Sequence, residues 1–459
     1  MNVVLISTYE LGRQPFGVAS PAAWLRGAGA EVTCLDLSRE EFREAPLRAA
    51  ALVAFYVPMH TATRLAIPLI ETVRWLNPRA HLCFYGLYAP MNAEYLRKLG
   101  VQTILGGEFE EGLVRLFERL GESPGPAAPE TQSHSDISLA RQQFLVPDRS
   151  GLPPLEQYAH LVVSGEGHRV VGYTEASRGC KHLCSHCPIV PVYNGVFRIV
   201  QRDVVLADIR QQVAAGASHI TFGDPDFFNG VGHAVAIVEA LHREFPALTY
   251  DVTIKIEHLL QHAAHLPKLR DTGCLFVTSA VESIDDAILA RLDKGHTRAD
   301  FLRVVRLFRE VGLTLQPTFV PFTPWTTLAG YLELLDVFAS NDLVENVAPI
   351  QLGIRLLIPA GSRLLELPEV RALVEPFDEA ALVYPWQHAD PRVDALCDEV
   401  QALVRSTDKL KWPRAKTFAG ICDATREAAG ISRDPEHVWQ PPILASRATI
   451  PYLNEPWYC

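Results

Sequence analysis

The sequence predicts an α/β protein in which a Rossmann-like domain is followed by a partial (β/α)6 TIM barrel and a small mixed C-terminal region. Short β-branched runs alternate with helical patterns over residues 1–120, and the alternation resumes on a larger scale over residues 169–360. Strands and helices that alternate through short connections are typical of parallel sheets covered by helices. At 459 residues the chain is also too long for one ordinary core, so several domains are expected.

Strand-like runs define the first domain, residues 1–120. They are NVVLIST, EVTCLDL, ALVAFYV, AHLCFYG and QTILGG, with helical patterns between them. A parallel sheet of this kind binds its ligands beyond the carboxyl ends of its strands. No G-x-G-x-x-G sequence follows the first strand, so the pattern does not favour a dinucleotide site.

Residues 121–168 interrupt the alternation. GESPGPAAPETQSHSD is rich in Pro, Ser and Gly and predicts a linker, whereas FLVPDRSGLPPLEQYAHL carries spaced apolar residues and predicts an ordered strap. Residues 169–360 then supply the barrel strands VVGYTEAS, HITFGD, TYDVTIK, CLFVTSA, TLQPTFVPF and IQLGIRLLIP. Such a barrel places its reactive groups at the carboxyl ends of the strands. Residues 361–459 are predicted to be mixed helix and loop.

Composition and charge exclude several classes of function. Lys and Arg number 42 against 53 Asp and Glu, so the net charge is −11, which disfavours nucleic acid and anionic membranes as partners. The start MNVVLISTYELG lacks the basic and long apolar regions of a signal peptide. The longest apolar run is shorter than the ~20 residues that a membrane span needs. We therefore expect a cytoplasmic protein with reduced thiols.

Cysteines are concentrated in one loop, EASRGCKHLCSHCPIVP, which holds Cys180, Cys184 and Cys187. In a reducing compartment such a group is typical of a metal or catalytic site rather than of disulfides. Three thiolates suit a [4Fe–4S] cluster and leave one iron open to a substrate or cofactor. The loop alone also leaves open a zinc site with His182 or His186 as its fourth ligand.

The loop resembles the cluster motif of the radical S-adenosylmethionine (SAM) superfamily, and further segments match in order over residues 145–362. ITFGDPDFF is similar to the segment that receives the methionyl group of SAM, and VTSAVESIDDAILARLDKGHT is similar to the ribose-contacting segment of the cobalamin-linked subgroup. LQPTFVPFTP and IRLLIPAGS stand in the places of the fifth and sixth strands. The residues that this resemblance assigns to SAM are Gly223, Asp224, Asp226, Ser279, Glu282, Lys294, Gln316 and Arg355.

His186 departs from the pattern of that superfamily, which usually has a bulky aromatic residue before the third cysteine, packed on adenine. An imidazole still offers a flat face and a hydrogen bond; the alternative is an exposed histidine without a role. Glu282 suits the ribose hydroxyls because an ionised acceptor makes the stronger hydrogen bond. Glu257, in TIKIEHLL, either lines the site or begins a solvated helix.

The resemblance implies an enzyme. The open iron of the cluster would bind SAM, and one electron would cleave a carbon–sulfur bond to give a 5′-deoxyadenosyl radical. The implied partners are a small-molecule substrate, for methylation or rearrangement, and an electron donor such as flavodoxin or ferredoxin. A non-catalytic iron–sulfur or corrinoid sensor is the alternative class, and the long set of SAM motifs disfavours it.

The first 120 residues resemble the cobalamin-binding domain that precedes the barrel in one radical SAM subgroup. The resemblance rests on the five-strand alternation, on Gly106 and Gly107 after the last strand, and on Glu108 before the closing helix. The D-x-H-x-x-G signature is absent, so cobalamin would bind without that axial histidine or not at all. His60 follows the third strand and is placed by topology near the ligand edge; a helix-capping role is its alternative.

The chain ends NEPWYC, on Cys459. This ending and the opening LISTYELGRQPFGVASPAAWLR resemble radical SAM proteins with a Cys-Cys-Ala-Glu-Pro or Cys-selenocysteine-Ala-Glu-Pro tail. We hypothesise that the chain is cut at a selenocysteine codon after Cys459. On this hypothesis Cys459 is catalytic, and the tail rather than cobalamin handles a thiophilic substrate. The alternative is a stray thiol on a mobile terminus.

Overall fold

The computed structural model describes residues 1–122, 135–431 and 448–455. The N-terminal domain is built on a parallel sheet of six strands in the order β2-β1-β3-β4-β5-β6. Each of the five predicted runs forms one strand, and β6 comes from the segment predicted as a linker. The strands are β1 Asn2–Ser7, β2 Glu31–Asp36, β3 Leu52–Tyr56, β4 His81–Tyr85, β5 Thr103–Gly107 and β6 Ser135–Ser138.

Helices cover both faces of this sheet. Val4 and Ile6 of β1 pack into one core, and Val3 and Leu5 pack into the core on the opposite face. A strand buried on both faces reads as a continuous apolar run, which is why these strands were predictable. The helices are α1 Phe16–Gly27, α2 Glu44–Arg48, α3 His60–Leu76, α4 Tyr88–Met91, α5 Ala93–Lys98 and α6 Glu110–Glu122.

The barrel domain is a curled half-barrel sheet in the order β14-β13-β12-β11-β8-β7-β15. Strands β8 and β11 to β14 are parallel, whereas β7 and β15 are antiparallel additions at one edge. A separate ribbon pairs β9 with β10. The strands are β7 His160–Val163, β8 Gly167–Thr174, β9 Ser177–Gly179, β10 Phe197–Ile199, β11 His219–Phe222, β12 Thr249–Thr253, β13 Cys274–Glu282, β14 Thr314–Phe319 and β15 Tyr452–Leu453.

The predicted sixth barrel strand, IQLGIRLLIP, is wrong. The chain there forms a 3-10 helix over Pro349–Gly353 and then a single bridge between Phe322 and Arg355. The Gln351 side chain instead accepts a hydrogen bond from the backbone N–H of Phe319, at 3.2 Å. A side chain thus replaces the backbone partner that a sixth strand would have supplied.

The remaining helices surround the half-barrel, and the last two pack into the same core as its strands. They are α7 Val190–Tyr193, α8 Arg202–Ala214, α9 Val231–Glu244, α10 Ile256–Gln261, α11 Leu266–Asp271, α12 Asp286–Arg291, α13 Arg298–Val311, α14 Leu328–Ser340, α15 Pro368–Leu373, α16 Pro391–Lys409 and α17 Arg414–Ala428. Further 3-10 turns are Leu155–Gln157, Phe227–Gly230, Ala263–His265 and Arg363–Glu366.

The C-terminal segment 448–455 joins the two edges of the half-barrel. Its strand β15 pairs with β7, and the Gln316 side chain of β14 donates a hydrogen bond to the carbonyl of Pro451, at 2.6 Å. Cys459, to which the sequence assigned a role, lies outside the described residues. Within the described part of the chain, no helix has the length and apolar character that crossing a membrane requires.

Candidate active site

The cysteine loop lies between β9 and β10 and is held from both sides. The backbone N–H of Lys181 donates to the Asn229 side chain at 3.1 Å, and the backbone N–H of Ser185 donates to the Leu292 carbonyl at 2.9 Å. Within the loop, the backbone N–H of Cys187 donates to the carbonyl of Cys184 at 3.1 Å. The three cysteines therefore lie on one ordered turn that is anchored to neighbouring elements.

The three thiols lie close enough to influence one another. Burial and the charges of Cys184 and Cys180 together raise the pKa of Cys187 to about 12, although Lys294 opposes this. Burial also raises the pKa of Cys180 above its usual value. Buried neighbouring thiols resist ionisation until a cation compensates their charge, as a metal cluster does.

The donor set fits a [4Fe–4S] cluster with one open iron. Three soft sulfur donors converge on the loop, and thiolates are the ligands that such clusters use. The other cysteines in the described ranges are buried in the domain cores and supply no fourth ligand. They are Cys34, Cys83, Cys274, Cys397 and Cys422.

Asp226 links the cysteine loop to α10. One carboxylate oxygen lies 2.6 Å from Nδ1 of His258 and 3.5 Å from Nε2 of His182, and the other accepts the backbone N–H of Phe228. Donor atoms of Cys180, His182 and Asp226 all lie within 4.8 Å of one another. This geometry also leaves the zinc alternative with His182 open.

Glu257 lies on the outer side of this group. Its carboxylate is 3.5 Å from Nδ1 of His182 and 3.4 Å from the ammonium of Lys255, and its side chain is 43% exposed. Glu257 therefore lies in the first turn of α10 and also contacts His182 of the cysteine loop. It has features of both predicted roles, the solvated helix start and the polar lining of the site.

Glu282 lies at the end of β13, where two further residues that the resemblance assigned to SAM contact it. Nε2 of His186 is 3.1 Å and the ammonium of Lys294 is 3.4 Å from the same carboxylate oxygen. Burial favours the protonated form, but Lys294 and His186 outweigh it and lower the pKa of Glu282 to about 2. Its φ of +70° follows a register shift of the strand. Such a left-handed conformation costs a non-glycine residue ~1–3 kcal/mol, and strain of this kind is concentrated at functional sites.

Asp224 and Gly223 follow β11 and face the strand that leads to the cysteines. Asp224 accepts hydrogen bonds from the Ser177 hydroxyl at 2.5 Å and from the Ala176 backbone N–H at 2.9 Å. Burial outweighs these bonds and raises the pKa of Asp224 to about 7. A Cβ at Gly223 would overlap the Tyr173 hydroxyl, so only glycine fits there.

The remaining candidate residues make their contacts elsewhere. Ser279 shares a strand face with Val277 and Val281, which pack against the helices of the barrel core, and its hydroxyl has no hydrogen-bond partner among the described residues. Gln316 is bonded to the C-terminal segment, as described above. Arg355 donates to Asp394 at 2.5 Å and to a backbone carbonyl of the C-terminal region.

A buried charge network, missed in the sequence, joins the two domains beside the cysteine loop. Arg178 is 2.7 Å from Glu110, 2.6 Å from Glu175 and 3.3 Å from Glu108. Burial, with the neighbouring Glu110, raises the pKa of Glu108 to about 7 although Arg178 opposes this. The sequence GGEFEE resembles an ordinary acidic first turn of a helix, which is why its partner was not foreseen.

A cavity of about 220 Å³ lies between the domains, beyond the carboxyl ends of the N-terminal strands. Its walls include Glu10, Tyr56, Gly86 and Gly107 from the N-terminal domain and Gly223 from the barrel. The strand order β2-β1-β3 reverses direction here, and open α/β sheets bind ligands at such a point.

The fit of this cavity to cobalamin is incomplete. The glycines bring backbone close to a ligand, but the volume is far below what a corrin ring with its side chains occupies. His60, which topology had placed near this edge, begins α3 and is not among the residues that line the cavity. Its Nε2 lies 2.6 Å from the carbonyl oxygen of Ala381.

Comparison with known proteins identifies the barrel. The sequence profile of the radical SAM superfamily matches residues 174–334. The tRNA-2-methylthio-N(6)-dimethylallyladenosine synthase of Geobacter sulfurreducens is 29% identical over 157 residues, which are 32% of this chain and 34% of that protein. The ribosomal protein uS12 methylthiotransferase RimO of the same organism is 27% identical over 149 residues, 30% of this chain and 32% of that protein. The chain thus spans about a third of the length of these curated relatives.

Solved structures share the fold at low identity. The cobalamin-dependent SAM radical enzyme OxsB, with aqua-cobalamin and SAM bound, matches with a TM-score of 0.71 at 14% identity, over 93% of this chain and 71% of that one. The radical SAM methyltransferase TsrM from Kitasatospora setae, with cobalamin and a [4Fe-4S] cluster bound, matches with a TM-score of 0.63 at 15% identity, over 94% of this chain and 99% of that one. Residues 174–334 therefore form a radical SAM superfamily domain, carried on a fold that cobalamin-dependent radical SAM enzymes share.

Proposed function

We propose that this protein is an enzyme that cleaves SAM reductively and performs radical chemistry on a small molecule. The observation that carries the proposal is the presence of Cys180, Cys184 and Cys187 on one ordered loop beside the buried Glu282, whose pKa is lowered to about 2. When bound to the three thiolates, a reduced [4Fe–4S] cluster supplies the electron for this cleavage. The superfamily match over residues 174–334 supports the same reading.

The residues around the loop have distinct roles in this proposal. Glu282 stays ionised at neutral pH and accepts hydrogen bonds from the ribose hydroxyls of SAM. Lys294 keeps the Glu282 carboxylate ionised. His186 hydrogen-bonds to that carboxylate and orients it, so we do not assign His186 the packing on adenine. The backbone at Gly223 receives the methionyl group, with Asp224 fixing that turn to the strand before the cysteines.

We assign Asp226 a structural role and no contact with SAM, because its carboxylate contacts His182 and His258. By joining His182 to His258 it holds the cysteine loop against α10. We assign Gln316 and Arg355 no contact with SAM, because their hydrogen bonds run to the C-terminal segment and to Asp394. We assign Ser279 none either, because it shares the strand face of Val277 and Val281, which is buried against the helices.

Methyl transfer is the reaction that we favour for this enzyme, and the fold shared with OxsB and TsrM supports it. The interdomain cavity is too small for a corrinoid, so we assign cobalamin no step and no residue in this proposal. A flavodoxin or ferredoxin is the proposed electron donor.

Anaerobic reconstitution tests the proposal. We expect protein supplied with SAM and reductant to form 5′-deoxyadenosine, and the Cys180→Ala variant to form none. Cys422→Ala, which removes a buried thiol from α17, should keep both iron and product. A full cluster with no nucleoside product would favour the sensor alternative. S-adenosylhomocysteine together with a corrinoid spectrum would favour methyl transfer.

A catalytic role for the Cys459 thiol is a separate proposal, supported by the resemblance of the segment EPWYC noted above. On this proposal the thiolate holds a thiophilic substrate or resolves a redox intermediate. The Cys459→Ser variant tests it. The variant should keep its cluster and lose product formation, whereas full activity would exclude the role.

A further inference from the structure

We propose that the half-barrel contains a binding site for an anionic group of the substrate and that Arg13 anchors this group. The proposal rests on the proposed function, because it concerns the substrate of the same enzyme. It concerns the segment TYELGRQ after β1, which neither the cluster nor the SAM motifs explain.

Arg13 is presented by an unusual turn. The backbone N–H of Arg13 donates to the carbonyl of Glu10 at 2.9 Å, and the two residues between them, Leu11 and Gly12, have φ values of +51° and +72°. Two successive left-handed residues define a type I′ turn, which is unfavourable for leucine. The carbonyl of Gly12 accepts the backbone N–H of Ala159, which fixes the turn against the strap. Strain retained at such a position is a signal of function.

The guanidinium of Arg13 has no counter-ion among the described residues. It lies over the ring of Tyr173, 4.9 Å from the ring centre, and its Nε is buried without a hydrogen-bond partner in the described ranges. The nearby carboxyl group of Glu10 is 5% exposed, and its Oε2 also has no partner there. Burial, with the charge of Glu175, raises the pKa of Glu10 well above its usual value, although Arg13 opposes this. The raised pKa disfavours the ionised form of Glu10, which is the form that would compensate the charge of Arg13.

Arg13 is half-buried, and a partly desolvated cation without a counter-ion gains when an anion binds. The guanidinium fork matches a carboxylate or a phosphate with two parallel hydrogen bonds. Contact with the ring of Tyr173 restricts the side chain, so less freedom is lost when the anion binds. The side chain is therefore prepared for an anionic group that the described protein residues do not supply.

Arg13 lines a cavity that has space for the rest of the ligand. A cavity of about 330 Å³ runs through the half-barrel, and its walls include Asp251 of β12, Thr278 of β13 and Thr318 of β14. Small-molecule sites usually occupy ~300–1,000 Å³. The segment 452–455 and the end of α16 close its open side. Arg13 also lines the interdomain cavity, so it stands where the barrel cavity meets the space beside Gly223.

The strand wall of the barrel cavity does not suit an anion. One oxygen of Asp251 already accepts hydrogen bonds from His219 at 2.9 Å and from Thr221 at 2.6 Å, so this wall is negative. The cations Arg405, Lys409, Lys411 and Arg414 line the cavity at α16 and α17, whereas Arg13 is the cation that also lines the space beside Gly223. An anionic substrate that reaches the proposed SAM site would therefore turn its charged end to Arg13. Its uncharged part would extend along the hydroxyl groups of Thr278 and Thr318.

The test measures probe binding by calorimetry on the reconstituted holoenzyme with SAM. The probes are phenylacetate, phenyl phosphate and the neutral phenylacetamide. We expect wild type to bind at least one anion at least tenfold more tightly than the amide, and Arg13→Gln to lose that preference. Phenylacetate and phenyl phosphate distinguish a carboxylate substrate from a phosphate one. Arg13→Lys, which keeps the charge but not the fork, should bind with intermediate affinity.

Arg64→Gln is the matched control, because Arg64 is exposed on α3 and lines neither cavity. It should bind all probes as wild type does. Equal binding of anion and amide by wild type, or undiminished anion binding by a folded Arg13→Gln variant, would overturn the proposal. Failure of the proposed function is a different result, namely wild-type protein that forms no 5′-deoxyadenosine whatever the probes do.

Discussion

The ammonium of Lys294 lies 3.4 Å from the carboxylate of Glu282, and both side chains are buried beside the cysteine loop. Burial lowers the pKa of Lys294, but the charges of Glu282, Cys184 and Cys187 outweigh it and raise this pKa above its usual value. One cation therefore holds an acid ionised and moderates the charge of the sulfur donors. A change in this ion pair should therefore alter both the free energy of unfolding and the binding of SAM, and the first two predictions concern these quantities.

Glu282→Gln should weaken both the fold and SAM binding. Removing one partner of a buried ion pair leaves Lys294 uncompensated, which costs about 3 kcal/mol in the free energy of unfolding. The dissociation constant for SAM should rise at least tenfold, about 1.4 kcal/mol. Urea unfolding and calorimetry measure the two effects. Glu239→Gln, at an exposed ion pair with Lys268, is the control and should change neither.

The same pair predicts a pH dependence. The pKa of Glu282 is about 2 in the folded protein, against ~4.3 for an unfolded chain. A depressed pKa stabilises the fold fully above the unfolded value, and this stabilisation is lost as pH falls through about 2. The difference in unfolding free energy between wild type and Glu282→Gln should therefore narrow below pH ~4. An equal difference at pH 7 and at pH 3 would contradict this.

Arg178→Met should loosen the junction between the domains. It strands the carboxylates of Glu108, Glu110 and Glu175 in a buried site, and breaking such a pair costs about 3–5 kcal/mol. Scanning calorimetry should show a lower transition temperature or two separate transitions. Arg210→Met, which breaks an exposed pair with Glu244, should leave the melting profile as it is.

Glu108→Gln tests whether the charge of Glu108 stabilises or destabilises the junction between the domains. Burial raises the pKa of Glu108 to about 7, against ~4.3 for an unfolded chain, so its contribution to stability is lost as pH rises from ~4.3 to about 7. The amide should make the protein more stable than wild type at pH 8, with little difference at pH 5. Thermal melts at both values check this, and a destabilised variant at pH 8 would show that the charged form is needed.

Gly223→Ala should disrupt the turn that receives SAM. The new Cβ overlaps the Tyr173 hydroxyl, and overpacking of this kind costs ~1–3 kcal/mol. SAM affinity, measured by calorimetry, should fall with stability, and the second change Tyr173→Ala should recover part of it. Gly232→Ala is the control, because nothing lies within 4 Å of its added Cβ and α9 gains a better helix former. Normal SAM binding by Gly223→Ala would exclude a close approach there.

The sequence was informative where structure is local. Apolar runs such as NVVLIS predicted the parallel strands, because burial on both faces removes polar alternation. The cysteine loop and the segment around Glu282 and Lys294 were predicted to share a site, and the structure brings these residues into contact. Their mutual ion pair was not foreseen, since the prediction assigned each of them to the ligand.

What the sequence could not supply depends on distant partners. The edge strand β15 has two residues and exists through pairing with β7, almost three hundred positions earlier. The residues around Arg178 do not predict its ion pairs with Glu108 and Glu110, because both carboxylates come from the other domain. The sixth strand failed for the opposite reason, because its apolar run looked regular while the chain there forms a 3-10 helix.

Electron paramagnetic resonance of the reduced protein, with and without SAM, tests the central claim most directly. The account predicts a [4Fe–4S] signal that changes when SAM is added and is absent when Cys180, Cys184 and Cys187 are all alanine. A wild-type signal that SAM leaves unchanged, or a cluster signal that persists without the three thiols, would contradict it.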